Sequence, residues 1–234
     1  ANPWPGSAAV YASASDSGYE LNTLLPTWAT IGVTQTALES AEPAVWDRGT
    51  SLRVKLTKGE LTSVDLIDVL NGANVAAIGD GSSGNWEVFQ FATAELVAPQ
   101  TYDLSLRLRG QVGTDGLMAS WPAGSRFVLL NSALRQIDIA QSARGLARHY
   151  RIGPSQRGYD DPSYQHLVEA FDGIGLRPYA PAHLKADLTL SGDTYLTWVR
   201  RTRIDGDSWQ SVEVPLGEAS ELYVVRVVQG GSIL

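Results

Sequence analysis

The glycine-rich segment GDGSSG at residues 79–84 fits the G-x-G-x-x-G pattern of dinucleotide-binding sites. Such a site requires a helix directly after the glycines, because the helix N-terminus receives the pyrophosphate. The residues that follow, from Asn85 to Phe91, are instead rich in aromatic and β-forming types. The sequence therefore predicts a glycine-rich turn between two strands. Asn85 also stands where a G-x-S-x-G nucleophile elbow needs its last glycine, which argues against that motif.

Acidic residues form no catalytic or calcium-binding pattern along the chain. The segment DGDS at 205–208 is similar to the start of a calcium loop, but Leu216 occupies the twelfth position, where a bidentate carboxylate is needed. A β-turn is the better prediction for this segment. Asp160 and Asp161 are adjacent, so on an extended segment they point to opposite faces and do not flank one substrate.

The three histidines, His149, His166 and His183, lack the i, i+4 or H-x-H spacing of metal ligands. A Ser–His–Asp triad has members that are distant in sequence, so chain order neither reveals nor excludes one. We therefore predict no catalytic residue, no metal site and no cofactor, and we do not expect the chain to be an enzyme.

Aromatic residues are numerous, with seven Trp and nine Tyr. Flat aromatic faces that are exposed beside polar groups stack on sugars, which raises a carbohydrate-binding hypothesis. The candidate ligand-binding residues are Tyr159, Tyr164 and Trp209, which, like Trp4, lie outside the clear core alternation. The alternative interpretation is that these aromatics pack at the edges of a core. In that interpretation its interior is filled by Trp28, Trp86 and Trp198.

Alternation of apolar and polar residues dominates the chain and indicates antiparallel strands with one buried face. In Thr101–Arg109 the alternation predicts a core-facing set of Tyr102, Leu104, Leu106 and Leu108, with the two arginines on the other face. Turns rich in Gly, Asp and Asn separate such segments. Strands are predicted at 8–13, 27–35, 52–57, 64–70, 74–78, 86–91, 101–109, 126–130, 134–139, 147–152 and 166–171, with three more at 183–190, 194–203 and 222–228.

The predicted fold class is all-β, with antiparallel β-sandwich organisation, because strands recur every 8–12 residues or so. We assign residues 1–63 to an N-terminal β segment that packs on the main domain, and 64–175 to a β-sandwich domain. A boundary is expected near LRPYAP (176–181). Residues 176–234 resemble the first half of a fibronectin type III sandwich, and we expect that unit to be truncated because about seven strands complete it.

Composition and charge exclude several protein classes. The net charge of −7 is a poor match for polyphosphate, so no sequence-specific nucleic-acid binding is predicted. No stretch approaches 18 consecutive apolar residues, so no transmembrane segment is predicted. The absence of cysteine excludes disulfides and thiolate metal sites.

Several long stretches resemble the large baseplate hub protein of gene transfer agents and related siphophage tails. They are LNGANVAAIGDG (70–81), WEVFQF (86–91), LRLRGQ (106–111), WPAGSR (121–126), LRPYAP (176–181), WVRRTR (198–203) and DGDSW (205–209). The resemblance implies that this chain is the C-terminal part of such a protein. The family's glycosidase-like TIM-barrel domain is not in this chain, so no catalytic residue is carried over.

The resemblance implies a structural role in a phage-like particle. The family forms a trimeric tail-tip hub that contacts the host envelope and passes DNA onward, so the expected partners are other baseplate and tail proteins and two further copies of the chain. The expected location is the tail tip of a particle that is made in the bacterial cytoplasm. The alternative function is a carbohydrate-binding module that recognises a host surface glycan.

Overall fold

The structure is a computed structural model that describes residues 6–206, 213–229 and 232–233. It divides into two compact units, Ala1–Arg177 and Pro178–Leu234. The strands are β1 Ala8–Ser13, β2 Glu20–Leu25, β3 Ile31–Thr34, β4 Trp46–Asp47, β5 Leu52–Lys58, β6 Val75–Gly79, β7 Trp86–Ala98, β8 Thr101–Gln111, β9 Arg126–Leu129, β10 Arg148–Pro154, β11 Gln165–Glu169, β12 Ala182–Leu188, β13 Thr194–Val199, β14 Val228–Gln229 and β15 Ser232–Ile233.

The prediction of an all-β, antiparallel, sandwich-like fold is confirmed. All strand pairs are antiparallel, and the described residues contain only one short α-helix, α1 at Leu66–Leu70. Three single 3₁₀ turns lie at Asp115–Leu117, Gln141–Ala143 and Ile174–Leu176.

The larger sheet of the first unit has seven strands in the order β4-β8-β5-β3-β9-β6-β7. β7 and β8 also pair with each other, so six of these strands form a closed ring of hydrogen-bonded neighbours. Closure removes free strand edges, along which another chain could pair. The alternating apolar side chains of these strands form the main core with residues of the connecting loops: Leu38, Leu52, Val54, Leu56, Leu61, Ala76, Ile78, Phe89, Phe91, Tyr102, Leu104, Trp121 and Phe127.

The predicted face of β8 is confirmed for Tyr102 and Leu104, which are buried, and is wrong for Leu106 and Leu108, which are only partly buried. Leu106 has a φ of +53°, in the left-handed region that a leucine rarely adopts. This single residue breaks the alternation of the strand. Beyond it the arginines, not the leucines, point inward.

Arg107 and Arg109 are buried because each finds a carboxylate. Arg109 donates to both oxygens of Glu87, over 2.5 Å from Nε to Oε1 and 2.8 Å from Nη2 to Oε2. Trp121 Nε1 donates to the same carboxylate over 2.8 Å. Arg107 Nε donates to Asp47 Oδ2 over 2.9 Å. A buried charge is tolerated when it is paired and hydrogen-bonded in this way.

The smaller sheet of the first unit has four strands in the order β11-β10-β1-β2. One face covers a second core of Val10, Ala12 and Tyr150. Both sheets combine strands from either side of residue 63: β1 pairs with β10, and β3 and β5 pair within the sheet of β6–β9. The predicted division at residue 63 therefore does not coincide with a boundary between sheets.

Two predicted strands of the first unit are wrong. Residues 64–70 contain α1, which buries Val69 and is followed by Gly72 at a φ of +94°. Residues 134–139 form no strand, and Asp138 instead exchanges hydrogen bonds with the side chain of Asn22. In the first unit, β2 and β4 were not predicted from the sequence.

In the second unit, β12 and β13 pair as a hairpin close to two of the predicted strands. Residues 222–227 form no strand and leave Leu222 and Val224 exposed, so the predicted strand at 222–228 is wrong over most of its length. The physical reason is that no described strand pairs with this segment. The fibronectin-like and truncated character of the unit stays a prediction.

Candidate functional site

The face of the four-stranded sheet opposite the second core collects aromatic and polar side chains. Tyr11 on β1 lies opposite Arg151 on β10, and Arg151 lies opposite His166 on β11. Residues that are directly opposite across an antiparallel pair share a face. We call the group the tyrosine–histidine face, consisting of Tyr11, Asp16, Tyr19, His149, Arg151, Tyr159, Tyr164 and His166.

The pairing of β10 and β11 brings two histidines together. His149 Nδ1 lies 3.0 Å from His166 Nε2, and the rings stack with centroids 5.2 Å apart and planes 12° from parallel. Their positions in the chain differ by 17, so the search for short metal-ligand spacings missed the pair. The sequence could have indicated the pair, because side chains alternate between the two faces of a strand. When two paired strands each carry a histidine at positions that point to the same face, both rings lie on that face.

Asp16, in the turn between β1 and β2, completes this cluster. Its Oδ1 accepts hydrogen bonds from the Tyr19 hydroxyl over 2.5 Å and from Arg151 Nη2 over 3.0 Å, and lies 3.8 Å from His166 Nε2. The bond from Tyr19, followed by that from Arg151, lowers the pKa of Asp16 to about 2. Burial, and then the bond to this carboxylate, raises the pKa of Tyr19. Asp16 is therefore ionised and Tyr19 neutral near pH 7.

Asp16, His149 and His166 each offer one ligand atom, and these atoms all lie within 4.8 Å of one another. Two imidazoles and a carboxylate are ligands that suit Zn²⁺ and other transition metals. The prediction that the chain has no metal-ligand grouping rested on sequence spacing alone, and the fold supplies a grouping that this spacing does not show.

The structure places two of the three candidate sugar-binding residues in the tyrosine–histidine face. The Tyr159 ring lies between Tyr11 and Tyr19, with centroid distances of 5.4 Å and 5.3 Å, and is partly exposed. Tyr164 is buried, and its hydroxyl donates to the carbonyl oxygens of Pro154 and Arg157. Tyr164 thus positions a loop and presents no free ring face. Trp209 and Trp4 lie outside the described residues.

Two other sequence candidates form turns. The segment 79–84 begins at the last residue of β6 and ends before β7, and β6 pairs with β7, which confirms the predicted hairpin turn. Asp161 accepts hydrogen bonds from the backbone and hydroxyl of Ser163 and pairs with Arg157, so it stabilises a tight turn. Asp160 beside it is exposed.

A half-open cleft of about 340 Å³ lies at the β6–β7 turn, and its lining includes Asp80, Asn85, Ser120 and Trp121. Hydrogen bonds from Asn85 and Ser82 lower the pKa of Asp80 to about 2. Asp80 is the one ionisable group among the residues that line this cleft. A single carboxylate that stays ionised does not make the acid–base pair of a glycosidase.

Residues 29–128 match the model of the Rcc01698-like, C-terminal family. The match begins before β3 and ends inside β9, so it spans nearly all of the seven-stranded sheet. It excludes β1, β2, β10 and β11, and with them the tyrosine–histidine face. No curated protein matches the chain. Among the described residues, no helix has the length and apolar character that crossing a membrane requires.

Proposed function

We propose that this chain is a structural module of a phage-like tail baseplate that takes part in contact with the host envelope and in DNA delivery. The observation that carries the proposal is that the family match and the hub-like sequence stretches coincide. The stretches LNGANVAAIGDG, WEVFQF, LRLRGQ and WPAGSR all lie within residues 29–128 and supply β6, parts of β7 and β8, and the turn before β9.

The physical character of the first unit supports a scaffold role. Six strands close into a ring around an apolar core. The ring therefore has no free strand edge that could pair with a neighbouring chain when many copies are packed in an assembly. A subunit with such a ring can contact its neighbours through side chains on its surface rather than through strand edges. The expected partners are other baseplate and tail proteins and, in a trimer, further copies of this chain.

The helix α1 supplies a surface suited to such docking. Ile67 and Leu70 are 61% and 63% exposed, and Leu66 on the same helix is 40% exposed. Large apolar side chains that are grouped on a surface mark contact sites between proteins. In a baseplate, we expect this helix to be covered by a neighbouring subunit.

Co-sedimentation with particles tests the proposal. Particles from the producing cells are purified on a density gradient, treated with nuclease, washed in high salt and probed with an antibody raised against the chain. We expect the chain to follow the tail proteins at a fixed ratio. The Ile67→Asp/Leu70→Asp double variant should lower its incorporation at least fivefold, whereas Asp68→Asn on the same helix should not. A chain that remains entirely in the soluble fraction would contradict the proposal.

The alternative function is recognition of a host surface glycan, and one observation favours it. Tyr11 and Tyr159 are partly exposed beside the charged and imidazole groups of the tyrosine–histidine face. Aromatic rings next to polar groups are the usual composition of sugar sites. Binding of the purified chain to host envelope polysaccharide should then fall at least tenfold in Tyr159→Ala. Tyr195→Ala, at an exposed tyrosine of the second unit, is the control. Equal binding by all three proteins, or by none, would remove this alternative.

A further inference from the structure

We propose that Asp16, His149 and His166 form a binding site for a divalent transition-metal ion, with Zn²⁺ as the best-suited ion. The inference goes beyond the proposed function, which needs no metal. It also rests on residues outside the family-matched segment 29–128. Its foundation is the approach of three ligand atoms from three separate elements to within 4.8 Å of one another.

Two of the three separations between the ligand atoms are close to those around a small ion. Tetrahedral Zn²⁺ with bonds of about 2.0–2.2 Å places its donor atoms about 3.3–3.6 Å apart. The two nitrogens of His149 and His166 are 3.0 Å apart, slightly closer, and His166 Nε2 lies 3.8 Å from Asp16 Oδ1, slightly farther. Displacements of a few tenths of an ångström bring both distances to the required value. These shifts are within reach of partly exposed side chains.

The hydrogen bond between the imidazoles shows what the ion would replace. Two ring nitrogens that are 3.0 Å apart share one proton, so one ring donates and the other accepts. When a cation binds between them, the facing nitrogen of the donor ring loses its proton to water and the other nitrogen of that ring takes one up. Both facing nitrogens then present lone pairs to the ion, with no net change in the protonation of either ring.

The surroundings of Asp16 supply the second layer that metal ligands require. Tyr19 donates to Oδ1 and orients the carboxylate, as outer partners of ligands commonly do. Arg151 donates to the same oxygen and opposes a cation by its charge. We assign Oδ1 to the ion, because this oxygen lies 3.8 Å from His166 Nε2. The ion then takes the place of the Arg151 donor on Oδ1, while Tyr19 keeps its hydrogen bond. Three protein ligands leave a fourth position. Arg151 favours an anionic oxygen ligand there.

Calorimetric titration of the tag-free chain with zinc chloride tests the site. We expect one ion per chain, and a loss of affinity of at least tenfold in each of His149→Ala, His166→Ala and Asp16→Asn. His183→Ala is the matched control, because His183 is an exposed histidine in the second unit, and it should bind as the unchanged chain does. Circular dichroism of each variant establishes that it is folded.

Two further measurements separate a built site from adventitious binding to surface histidines. Tyr19→Phe keeps the ring but removes the donor to Asp16, and we expect it to weaken zinc binding roughly tenfold. Bound Co²⁺ should show the intense visible absorption of a four-coordinate ion, which His166→Ala should abolish. The proposal is wrong if no zinc binds at one ion per chain. It is equally wrong if the three ligand variants bind as well as the His183→Ala control.

Discussion

Glu87 and Arg109 are both completely buried, and each carries a charge that water would otherwise solvate. Their two hydrogen bonds, with further donors from Trp121 Nε1 and the backbone of Gly110, satisfy the carboxylate within the protein. The pair therefore fixes the approach of β7 and β8 and of the loop that carries Trp121. Its removal on one side would leave the other charge without compensation.

Arg109→Leu should lower the free energy of unfolding by about 3–5 kcal/mol, because Glu87 is then buried as an unpaired charge. Urea unfolding followed by tryptophan fluorescence measures the loss. Arg53→Leu is the control, since Arg53 pairs with Asp103 at an exposed position, and it should change stability little. Equal losses of unfolding free energy for the two substitutions would show that the buried Arg109–Glu87 pair stabilises the fold no more than the exposed Arg53–Asp103 pair does.

Asp16 predicts a specific dependence of stability on pH. Its pKa is about 2 in the folded chain against an ordinary value of 3.8, so the folded state favours the ionised form. The stabilisation is complete above about pH 4 and is lost as the pH falls through 2. Thermal unfolding of the wild type and of Asp16→Asn should differ above pH 4 and converge near pH 2. A difference that stays constant over this range would contradict the assignment.

The candidate site was predictable only in part. The aromatic content indicated Tyr159 and Tyr164, and both lie in the tyrosine–histidine face. His149 and His166 were treated as isolated because their proximity arises from the register of β10 and β11, which single-residue spacing does not contain. Asp16 joins them through the β1–β2 turn, 133 positions before His149 in the chain, and no local pattern links the two.

At the scale of elements, β8 shows how one residue alters a whole strand. Leu104 is completely buried in the main core, whereas Leu106 is partly exposed at a positive φ. Leu104→Ala should cost about 2–5 kcal/mol of unfolding free energy. Leu106→Gly should cost at least about 1 kcal/mol less, because glycine adopts this backbone conformation without strain. Chemical denaturation of both variants measures the difference. A larger loss of unfolding free energy for Leu106→Gly would indicate that Leu106 faces the core, as simple alternation predicts.

Several strand positions were predictable from apolar content and flanking turns, whereas the change of face within β8 was not. β1, β5 and β6 lie at or within two residues of their predicted positions. The inward turn of Arg107 and Arg109 escaped prediction because it depends on Asp47 and Glu87, which are distant in sequence. Residues 64–70 read as a strand from their apolar content, yet they form α1. Residues 222–227 are rich in β-forming types, but this preference needs a partner strand to act.

At the scale of the whole molecule, the two units differ in how their strands are supported. β5 and β8 lie inside the closed ring of the first unit, while β12 and β13 form a two-stranded sheet of their own. An isolated pair of strands is only marginally stable. Hydrogen exchange should therefore be at least a hundredfold faster in residues 182–199 than in residues 52–58 and 101–105. Similar protection in both would mean that the second unit has support that its pairing does not reveal.

The proposed function joins these scales. In that proposal the closed ring, which the Rcc01698-like family model matches, is the scaffold and α1 is the docking surface. The tyrosine–histidine face lies on the separate four-stranded sheet. A scaffold of this kind needs no catalytic residue. Its position in a particle is therefore the property that distinguishes it from a free binding protein.

Immunogold labelling of purified particles tests this claim most directly. An antibody raised against the chain is applied to particles with intact tails, and the position of the gold is recorded by electron microscopy, with pre-immune serum as the control. We expect label at the tail tip, at the end distant from the head. Label on the head, along the tail shaft, or at the level of the pre-immune control would contradict a role in the baseplate.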